Sequence, residues 1–399
     1  MQASKPSARR WLALMAVVSA YTFTFISRYV WSPLMGIVSQ EFVLNSAQAG
    51  IYMSVFFAGY VLTQLPGGML SDRMNPKVVL IAATVLGGLA AGMMSLVNDF
   101  SLGIAFRFLA GLASGFVMSA CSKVLTNEFA PNERSVALGI LMASPPFGIT
   151  LANLIGPLLR DNYGWRNTFL FVGLLAVLVV LVLILFVKNH SPVPETTSKK
   201  APFTEGFLDF AKNPNQWLVV VAGFMFLFTT TGFPTWIYRV TEHLGFEPSQ
   251  RTLIAMSYSI TGIAGSVFSG VIAKRIKMNS RSFLMATHGL MAAFSLVLVI
   301  NWQFGLFFAL GILYGFISYL PASHQTALAI QYSKPEYSAT SVACQNLFMQ
   351  TASVLQPVFL GGLIDSTGGF SIIWYAFAIT MSIGVIAIRA TKSPENPKT

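Results

Sequence analysis

Long runs of apolar residues, separated by short polar connections, follow one another along the whole chain. A helix needs about 20 predominantly apolar residues to cross a bilayer. Twelve runs reach that length, at roughly 11–35, 47–70, 77–98, 101–125, 135–158, 167–188, 217–240, 252–274, 282–301, 303–328, 338–363 and 371–390. The pattern therefore predicts an all-α membrane protein with twelve transmembrane helices.

The longest polar interval divides the twelve runs into six and six. It reads KNHSPVPETTSKKAPFTEGFLDFAKNPNQ and is rich in Pro, Lys and Ser/Thr, which is typical of a linker. We predict an N-terminal six-helix bundle at 1–188, a cytoplasmic linker at 189–216 and a C-terminal six-helix bundle at 217–399. Within the linker, FTEGFLDFAK is suited to a short amphipathic helix on the membrane surface.

The two halves share residues at a nearly constant offset. Three residues of the first half recur 202 positions later: Gln48, Gly68 and Arg73 as Gln250, Gly270 and Arg275. Farther along, RDNYG after the fifth run resembles IDSTG after the eleventh. The matches indicate an internal duplication, and therefore two bundles with pseudo-two-fold symmetry. Parallel repeats of this kind are typical of transporters with the substrate site at the repeat interface.

The charges are few and mostly basic. Charged residues make up 10% of the chain, against about 25% in soluble proteins. If both termini are cytoplasmic, 19 of the 25 Lys and Arg residues lie in inner segments and four in outer loops, as the positive-inside rule requires. We therefore predict a multi-pass protein of the plasma (inner) membrane. The net charge of +11 reflects topology in the lipid bilayer, and we expect no nucleic-acid partner.

The sequence lacks the motifs of the common enzyme classes. No nucleotide-binding loop, zinc-ligand spacing or nucleophile–His–acid arrangement appears. Cys121 and Cys344 fall in predicted helices and indicate small buried residues, not a disulfide framework. We predict a monomer without enzymatic activity, without a cofactor and without a metal site.

Several polar motifs interrupt the apolar runs of the first half. GGMLSDRMNPK resembles the loop between helices two and three of the major facilitator superfamily, although Asn75 and Pro76 depart from the pattern. RFLAGLASG resembles the fourth-helix motif of that family, and NERSVALG and YGWRNTF resemble the edges of its fifth helix. The resemblance covers the whole chain. It implies a secondary transporter that works by rocking two helical bundles.

The same resemblance implies a conformational latch, which joins the bundles in the outward-facing state. Its members are the residues at motif positions: Gly68, Asp72, Arg73, Lys77 and Arg134. We expect Gly68 to let two helices approach closely. We expect Asp72 to accept hydrogen bonds from a helix N-terminus or from Arg134.

Arg28 stands about 17 residues into the first apolar run. A mid-span Arg costs about 3 kcal/mol on the mildest insertion scale, so it is a candidate for function. The segment FISRYVWSP resembles the anion–cation symporter and organic-anion branches, where a first-helix Arg binds the anionic group of the substrate. The chain departs from those relatives at Ser27, Ser114 and Thr230, where they often carry Asp, Glu or a second Arg. A single buried cation suits a monocarboxylate better than a phosphate dianion.

The coupling mechanism is left open. All 14 carboxylates lie in loops or near the ends of runs, so no mid-membrane proton carrier of the usual kind is present. Coupling by anion exchange, facilitated diffusion, or His324 or His288 fits the sequence. Arg107, within reach of the outer surface, suits either a structural hydrogen-bonding role or a part in coupling.

Further polar and aromatic residues fall on helices that line the cavity in this family. The candidates for substrate binding beside Arg28 are Tyr29, Tyr52, Tyr60, Asn153, Thr230, Trp236, Tyr258, Tyr319, Gln345, Asn346 and Gln350. Together these features predict a secondary active or facilitative transporter of a small organic anion. A multidrug or metabolite efflux antiporter and a transporter-like solute sensor are the alternatives.

Overall fold

A computed structural model of the protein describes residues 8–189, 203–300 and 303–392. Across these ranges the backbone forms α-helices and short 3₁₀ turns, without a β-strand. The chain divides into two compact units, Met1–Pro194 and Glu195–Thr399. The predicted linker falls partly outside the described residues, since 190–202 are not among them.

The helices of the first unit follow one another with short connections. They are α1 (Ala8–Tyr29), α2 (Trp31–Glu41), α3 (Ser46–Arg73), α4 (Pro76–Met93), α5 (Phe100–Gly115), α6 (Val117–Glu128), α7 (Arg134–Leu141) and α8 (Ser144–Phe186).

The second unit contains α9 (Phe203–Lys212), α10 (Pro214–His243), α11 (Pro248–Arg275), α12 (Ser280–Ile300), α13 (Phe304–Ser318), α14 (Pro321–Gln331), α15 (Ser338–Thr367) and α16 (Ile372–Ala390).

Eleven helical stretches of the described chain are long and apolar enough to cross a membrane. One of them, Arg134–Phe186, is 53 residues long and covers two of the twelve predicted runs. Inside it, Gly164 has a φ of 81° and a ψ of 164°, so the helix is interrupted there. The protein is therefore an integral multi-pass membrane protein, and the count of twelve spans stays a prediction.

The repeat seen in the sequence has a local physical basis. Gln48 closes a capping box with Asn45 at the start of α3, and Gln250 closes one with Glu247 at the start of α11. In each box the amide side chain accepts a hydrogen bond from the backbone N–H of the N-cap residue, at 3.0 Å. The recurring Gln thus helps to cap the N-terminus of a 28-residue helix in each unit.

Helix packing repeats in the same order within each unit. In the first unit α1 packs on α8, α3 on α5 and α4 on α8; in the second, α10 packs on α15, α11 on α13 and α12 on α16. A Cβ added to Gly111 would overlap the carbonyl oxygen of Phe56, and one added to Gly315 would overlap that of Tyr258. Each unit therefore uses a glycine at an equivalent place to bring two helices together.

The predicted amphipathic segment FTEGFLDFAK forms α9. Phe210 is fully buried, and its ring centroid lies 5.4 Å from that of Trp217 and 6.1 Å from that of Phe348. Asp209 binds Lys334 at 2.9 Å, and this hydrogen bond raises the pKa of the lysine above its usual value. The helix is confirmed, and one of its faces packs on protein. Its placement on the membrane surface stays a prediction.

Candidate functional site

The first span is broken close to Arg28. Helix α1 ends at Tyr29 and α2 begins at Trp31, inside the single span Arg9–Glu41. Pro33 has no amide hydrogen for the carbonyl of Tyr29, and its ring clashes with that carbonyl. The break therefore falls one turn before Pro33 and leaves Arg28 in the last turn of α1.

The Arg28 guanidinium lies among four aromatic rings. Its Cζ atom is 4.7 Å from the ring centroid of Phe25, 5.2 Å from Phe56, 4.9 Å from Phe57 and 4.7 Å from Tyr60. These rings, here called the aromatic cage, come from α1 and α3. Each cation–π contact is worth about 0.5–2 kcal/mol, so the cage offsets part of the cost of burying the charge.

No carboxylate of the described residues forms an ion pair with Arg28. The residue is 5% exposed, and its Nε atom has no hydrogen-bond partner among the described residues. Aromatic faces stabilise the cation but accept no strong hydrogen bond from it. The guanidinium therefore keeps donors that suit an anion.

Small residues on α5 place α3 and its rings beside Arg28. A Cβ at Gly111 would overlap the Phe56 carbonyl, and one at Gly115 would overlap the Thr63 hydroxyl. Thr63 Oγ1 also donates to the carbonyl of Leu112 at 2.7 Å. These glycines therefore let α5 pack closely on α3, and this contact places the rings of Phe56 and Tyr60 in the aromatic cage.

Arg107 lies in the interior of the first unit and not near its surface. It is 1% exposed, and its Nη1 and Nη2 atoms donate to the carbonyls of Ser27 and Arg28 at 2.8 and 2.9 Å. Its Nε atom donates to the carbonyl of Tyr52 at 3.3 Å. Of the two roles considered for Arg107, these contacts agree with the structural hydrogen-bonding one, because backbone carbonyls hold its guanidinium inside the unit instead of at the outer surface.

The other predicted binding residues of the first unit differ in their surroundings. Tyr60 belongs to the aromatic cage, and Tyr29 lies 3% exposed beside Phe25, with parallel rings 6.5 Å apart. Tyr52 instead stacks on Trp31 at 4.5 Å, and its hydroxyl donates to the carbonyl of Phe100 at 3.3 Å. Asn153 is buried on α8. The structure thus groups Tyr29 and Tyr60 near Arg28 and gives Tyr52 a packing role.

In the second unit, three predicted residues meet between α10, α11 and the end of α13. The Tyr258 hydroxyl donates to the carbonyl of Thr230 at 3.2 Å, and the ring centroid of Tyr319 lies 6.1 Å from that of Tyr258. Thr230 and Tyr258 stand 202 positions after Arg28 and Phe56. The second unit therefore has an aromatic ring but no cation at the equivalent place.

The predicted amides of the second unit lie on α15. Gln345 is buried and donates to the carbonyl of Gln325 at 3.3 Å, while Gln350 accepts from the Ser353 hydroxyl at 3.2 Å. Asn346 is half-buried. On α10, Trp236 is 1% exposed, and its Nε1 atom lacks a hydrogen-bond partner within the described chain.

One buried amide was missed by the sequence analysis. Gln356 is fully buried, and neither its Oε1 nor its Nε2 atom has a partner among the described residues. Its Cδ atom lies 3.1 Å from the position of a Cβ on Gly232. A polar residue directly before Pro357 in an apolar run was the available signal.

The predicted latch residues sit at the end of α3 and at the starts of α4 and α7. Asp72 pairs with Lys123 at 2.7 Å, whereas the sequence predicted a helix N-terminus or Arg134. Lys77 Nζ donates to the carbonyl of Ile184 at 2.8 Å near the end of α8, and Arg73 is exposed. Arg134 donates to backbone carbonyls instead, at 2.8 and 3.1 Å. The expected partner of Asp72 was therefore wrong.

The expected packing role of Gly68 was also wrong. Within its unit, no atom of the described residues lies within 4 Å of a Cβ built on Gly68. The neighbouring Gly67 makes the close approach, because its Cβ would lie 2.9 Å from the Cα of Phe116. The latch itself stays a prediction.

Both histidines considered for coupling contact protein groups. His324 shares a hydrogen bond of 3.1 Å with the Ser280 hydroxyl, and its ring lies 4.3 Å from that of Phe283. His288 is fully buried, with its Nδ1 atom 2.8 Å from the carbonyl of Leu284. Within the described ranges, no group of three or more His, Cys, Asp or Glu residues could hold a metal ion.

Comparisons with known proteins agree with this architecture. A family model, Major Facilitator Superfamily, matches residues 17–357. A probable sulfoacetate transporter of Cupriavidus necator is 22% identical, with 95% of this chain and 93% of the relative covered. The hexuronate transporter of Bacillus subtilis is 24% identical, with 92% and 90% covered.

Among solved structures, a bacterial homologue of the human lysosomal transporter Spinster shares the fold. Its TM-score is 0.76 at 19% identity, with 96% of this chain and 95% of that chain covered. The family model matches most of the sequence, and its members are transporters, not enzymes. This chain belongs to the Major Facilitator Superfamily.

Proposed function

We propose that this protein is a secondary transporter of a small organic anion and that Arg28 binds the anionic group. The observation that carries the proposal is a buried guanidinium in an aromatic cage, with its Nε atom unpartnered among the described residues. A carboxylate can accept two parallel hydrogen bonds from a guanidinium. The relatives named for sulfoacetate and hexuronate transport agree with an anionic substrate.

The transport cycle we propose is alternating access by two six-helix bundles with pseudo-two-fold symmetry. Recurring capping boxes and helix pairings support the duplication that such a cycle uses. The proposed topology has twelve spans and cytoplasmic termini, in the plasma (inner) membrane, because Lys and Arg then concentrate on the inner side. We propose a monocarboxylate as the substrate class, because a single cation at the site balances a single negative charge.

The coupling we propose is anion exchange or facilitated diffusion. The described carboxylates lie at helix ends or in connections, as Asp72, Asp99 and Glu242 do, or beside the interruption at Gly164, as Asp161 does. A proton carrier inside the membrane would need a titratable group in a span. If transport is instead coupled to protons, His324 is the first candidate for the proton carrier.

Counterflow in proteoliposomes tests the proposal. Purified protein is reconstituted, loaded with D-glucuronate, sulfoacetate or a cationic dye, and supplied with the same labelled compound outside. We expect exchange of at least one anion by the wild type, and none of the dye. We expect Arg28→Gln to lose anion exchange. Arg9→Gln, which removes an exposed charge from the same helix, is the matched control and retains it.

Other outcomes favour other functions. Dye exchange without anion exchange would support an efflux antiporter. Anion binding by calorimetry without any counterflow would support a solute sensor. A folded Arg28→Gln protein with wild-type anion exchange would remove Arg28 from the binding site.

A further inference from the structure

We propose that Arg107 is a positioning residue of the anion site: it occupies the carbonyl groups at the end of α1 and thereby leaves the Arg28 guanidinium available to the substrate. The inference rests on the proposed function of Arg28. Arg107 would thus affect substrate binding through Arg28 and not by touching the substrate.

The end of α1 creates an unusual demand for hydrogen-bond donors. The last carbonyls of a helix lack partners inside that helix. In a membrane interior no bulk water replaces those partners, so they must come from protein. Arg107 supplies them, since Nη1 donates to the Ser27 carbonyl at 2.8 Å and Nη2 to the Arg28 carbonyl at 2.9 Å.

The remaining contacts of Arg107 attach this cap to α3. Nε donates to the carbonyl of Tyr52 at 3.3 Å, and Cζ lies 4.7 Å from the ring centroid of Phe56. Phe56 is also a ring of the aromatic cage, 5.2 Å from the Cζ atom of Arg28. All three nitrogens of Arg107 therefore serve protein groups, and the residue holds the site together without itself binding substrate.

Removing Arg107 changes what Arg28 can bond to. The carbonyls of Ser27 and Arg28 belong to the same helical turn as the Arg28 side chain. Without Arg107 they become buried acceptors without a donor, which is costly. Arg28 carries the cationic side chain of that turn, so the substrate must then compete with the carbonyls for its guanidinium.

The test compares three variants with wild type. Arg107→Gln removes the charge and most donors. Arg107→Lys keeps the charge and three N–H groups on one nitrogen. Arg281→Gln is the matched control, because Arg281 also caps a helix end, donating to the carbonyls of Ile388 and Arg389 at 3.2 and 2.6 Å. For each, the affinity for D-glucuronate and sulfoacetate is measured by calorimetry, together with thermal unfolding and the KM and kcat of counterflow.

We expect Arg107→Gln to weaken anion affinity by about tenfold, because a buried carbonyl left without a donor would compete with the anion for the Arg28 guanidinium. Arg107→Lys should recover part of that loss. KM should rise while kcat changes little. Arg281→Gln should lower the unfolding temperature and leave affinity unchanged, since its helix end lies in the other unit from Arg28.

Wild-type affinity in a folded Arg107→Gln protein would contradict the positioning role and leave Arg107 a packing residue. The positioning role is equally contradicted if both Arg107 variants fail to fold while Arg281→Gln folds. If the wild type binds and exchanges no anion, the proposed function fails, and the inference fails with it. If the wild type binds the anion and Arg107→Gln binds it equally well, only the positioning role fails; if the wild type binds no anion, the proposed function fails.

Discussion

Lys123 on α6 forms an ion pair with Asp72 at the end of α3, with Nζ and Oδ1 2.7 Å apart. The side chains are 29% and 51% exposed. The pair therefore contributes less than about 1 kcal/mol to stability, because water and salt screen an exposed pair. The pair therefore matters little for the stability of the unit. In the proposed latch, Lys123 would matter because its positive charge lies beside the Asp72 carboxylate.

Replacing Asp72 with Asn should reduce turnover and leave substrate affinity within a few-fold, because the latch acts on the conformational change. Lys123→Gln should act in the same direction, since it removes the partner. Counterflow rates and calorimetric affinity measure the two quantities. Asp161→Asn is the matched control: Asp161 is 54% exposed and pairs with Arg160 at 2.7 Å. An equal loss of affinity in Asp72→Asn would place Asp72 in the binding site.

Replacing Arg28 with Lys should retain only a fraction of anion transport. A lysine ammonium keeps the charge and the cation–π contacts, but it cannot grip a carboxylate through two parallel hydrogen bonds. Such a charge-assisted bond is worth about 1.5–3 kcal/mol, or about ten- to a hundred-fold in affinity. Uptake is measured beside thermal unfolding, and full transport by Arg28→Lys would show that charge alone suffices.

Transport should respond less steeply to an imposed pH gradient than to an opposing gradient of substrate, because the carboxylates lie outside the middle of the spans. Accumulation of a labelled anion in proteoliposomes measures both responses. Strong accumulation driven by a proton gradient alone would contradict exchange and facilitated diffusion. His324→Gln would then be the first variant to examine.

Replacing Gly164 with Ala should lower the free energy of unfolding by about 2 kcal/mol, because a φ of 81° with a ψ of 164° belongs to a region that only glycine adopts readily. Gly362→Ala is the control. Gly362 lies inside α15 with open space at its Cβ, so alanine there should stabilise by about 0.5–1 kcal/mol. Denaturant unfolding of both variants decides whether backbone conformation is the cause.

Replacing Gln356 with Leu should raise the free energy of unfolding by about 1 kcal/mol, since it removes a buried amide that lacks partners in the described chain. Thermal unfolding measures the gain. Gln345→Leu is the comparison, because Gln345 donates to the carbonyl of Gln325, and its loss should destabilise. A destabilised Gln356→Leu protein would mean that the amide is satisfied in the native state.

The sequence by itself determined the class of protein, most span positions and the bounds of α9. These features are local: a run of apolar residues long enough for a bilayer must be helical, because its backbone groups need partners within the segment. The repeat was also readable, since Gln48 and Gln250 cap the N-termini of their helices through hydrogen bonds to residues three positions away. The position of Arg28 within an apolar run is also a local feature, and it marked the residue as a candidate for substrate binding.

Only the tertiary structure decided which groups these residues meet. A transmembrane run is apolar on most sides, so its pattern does not specify which helix packs on which face. Lys123 beside Asp72, the aromatic cage around Arg28, and the carbonyls bound by Arg107 all join residues from different helices. Gly67, not Gly68, makes the close approach to Gly115 and Phe116, because the rotation of α3 against the junction of α5 and α6 is fixed by packing along the helices and not by the local sequence.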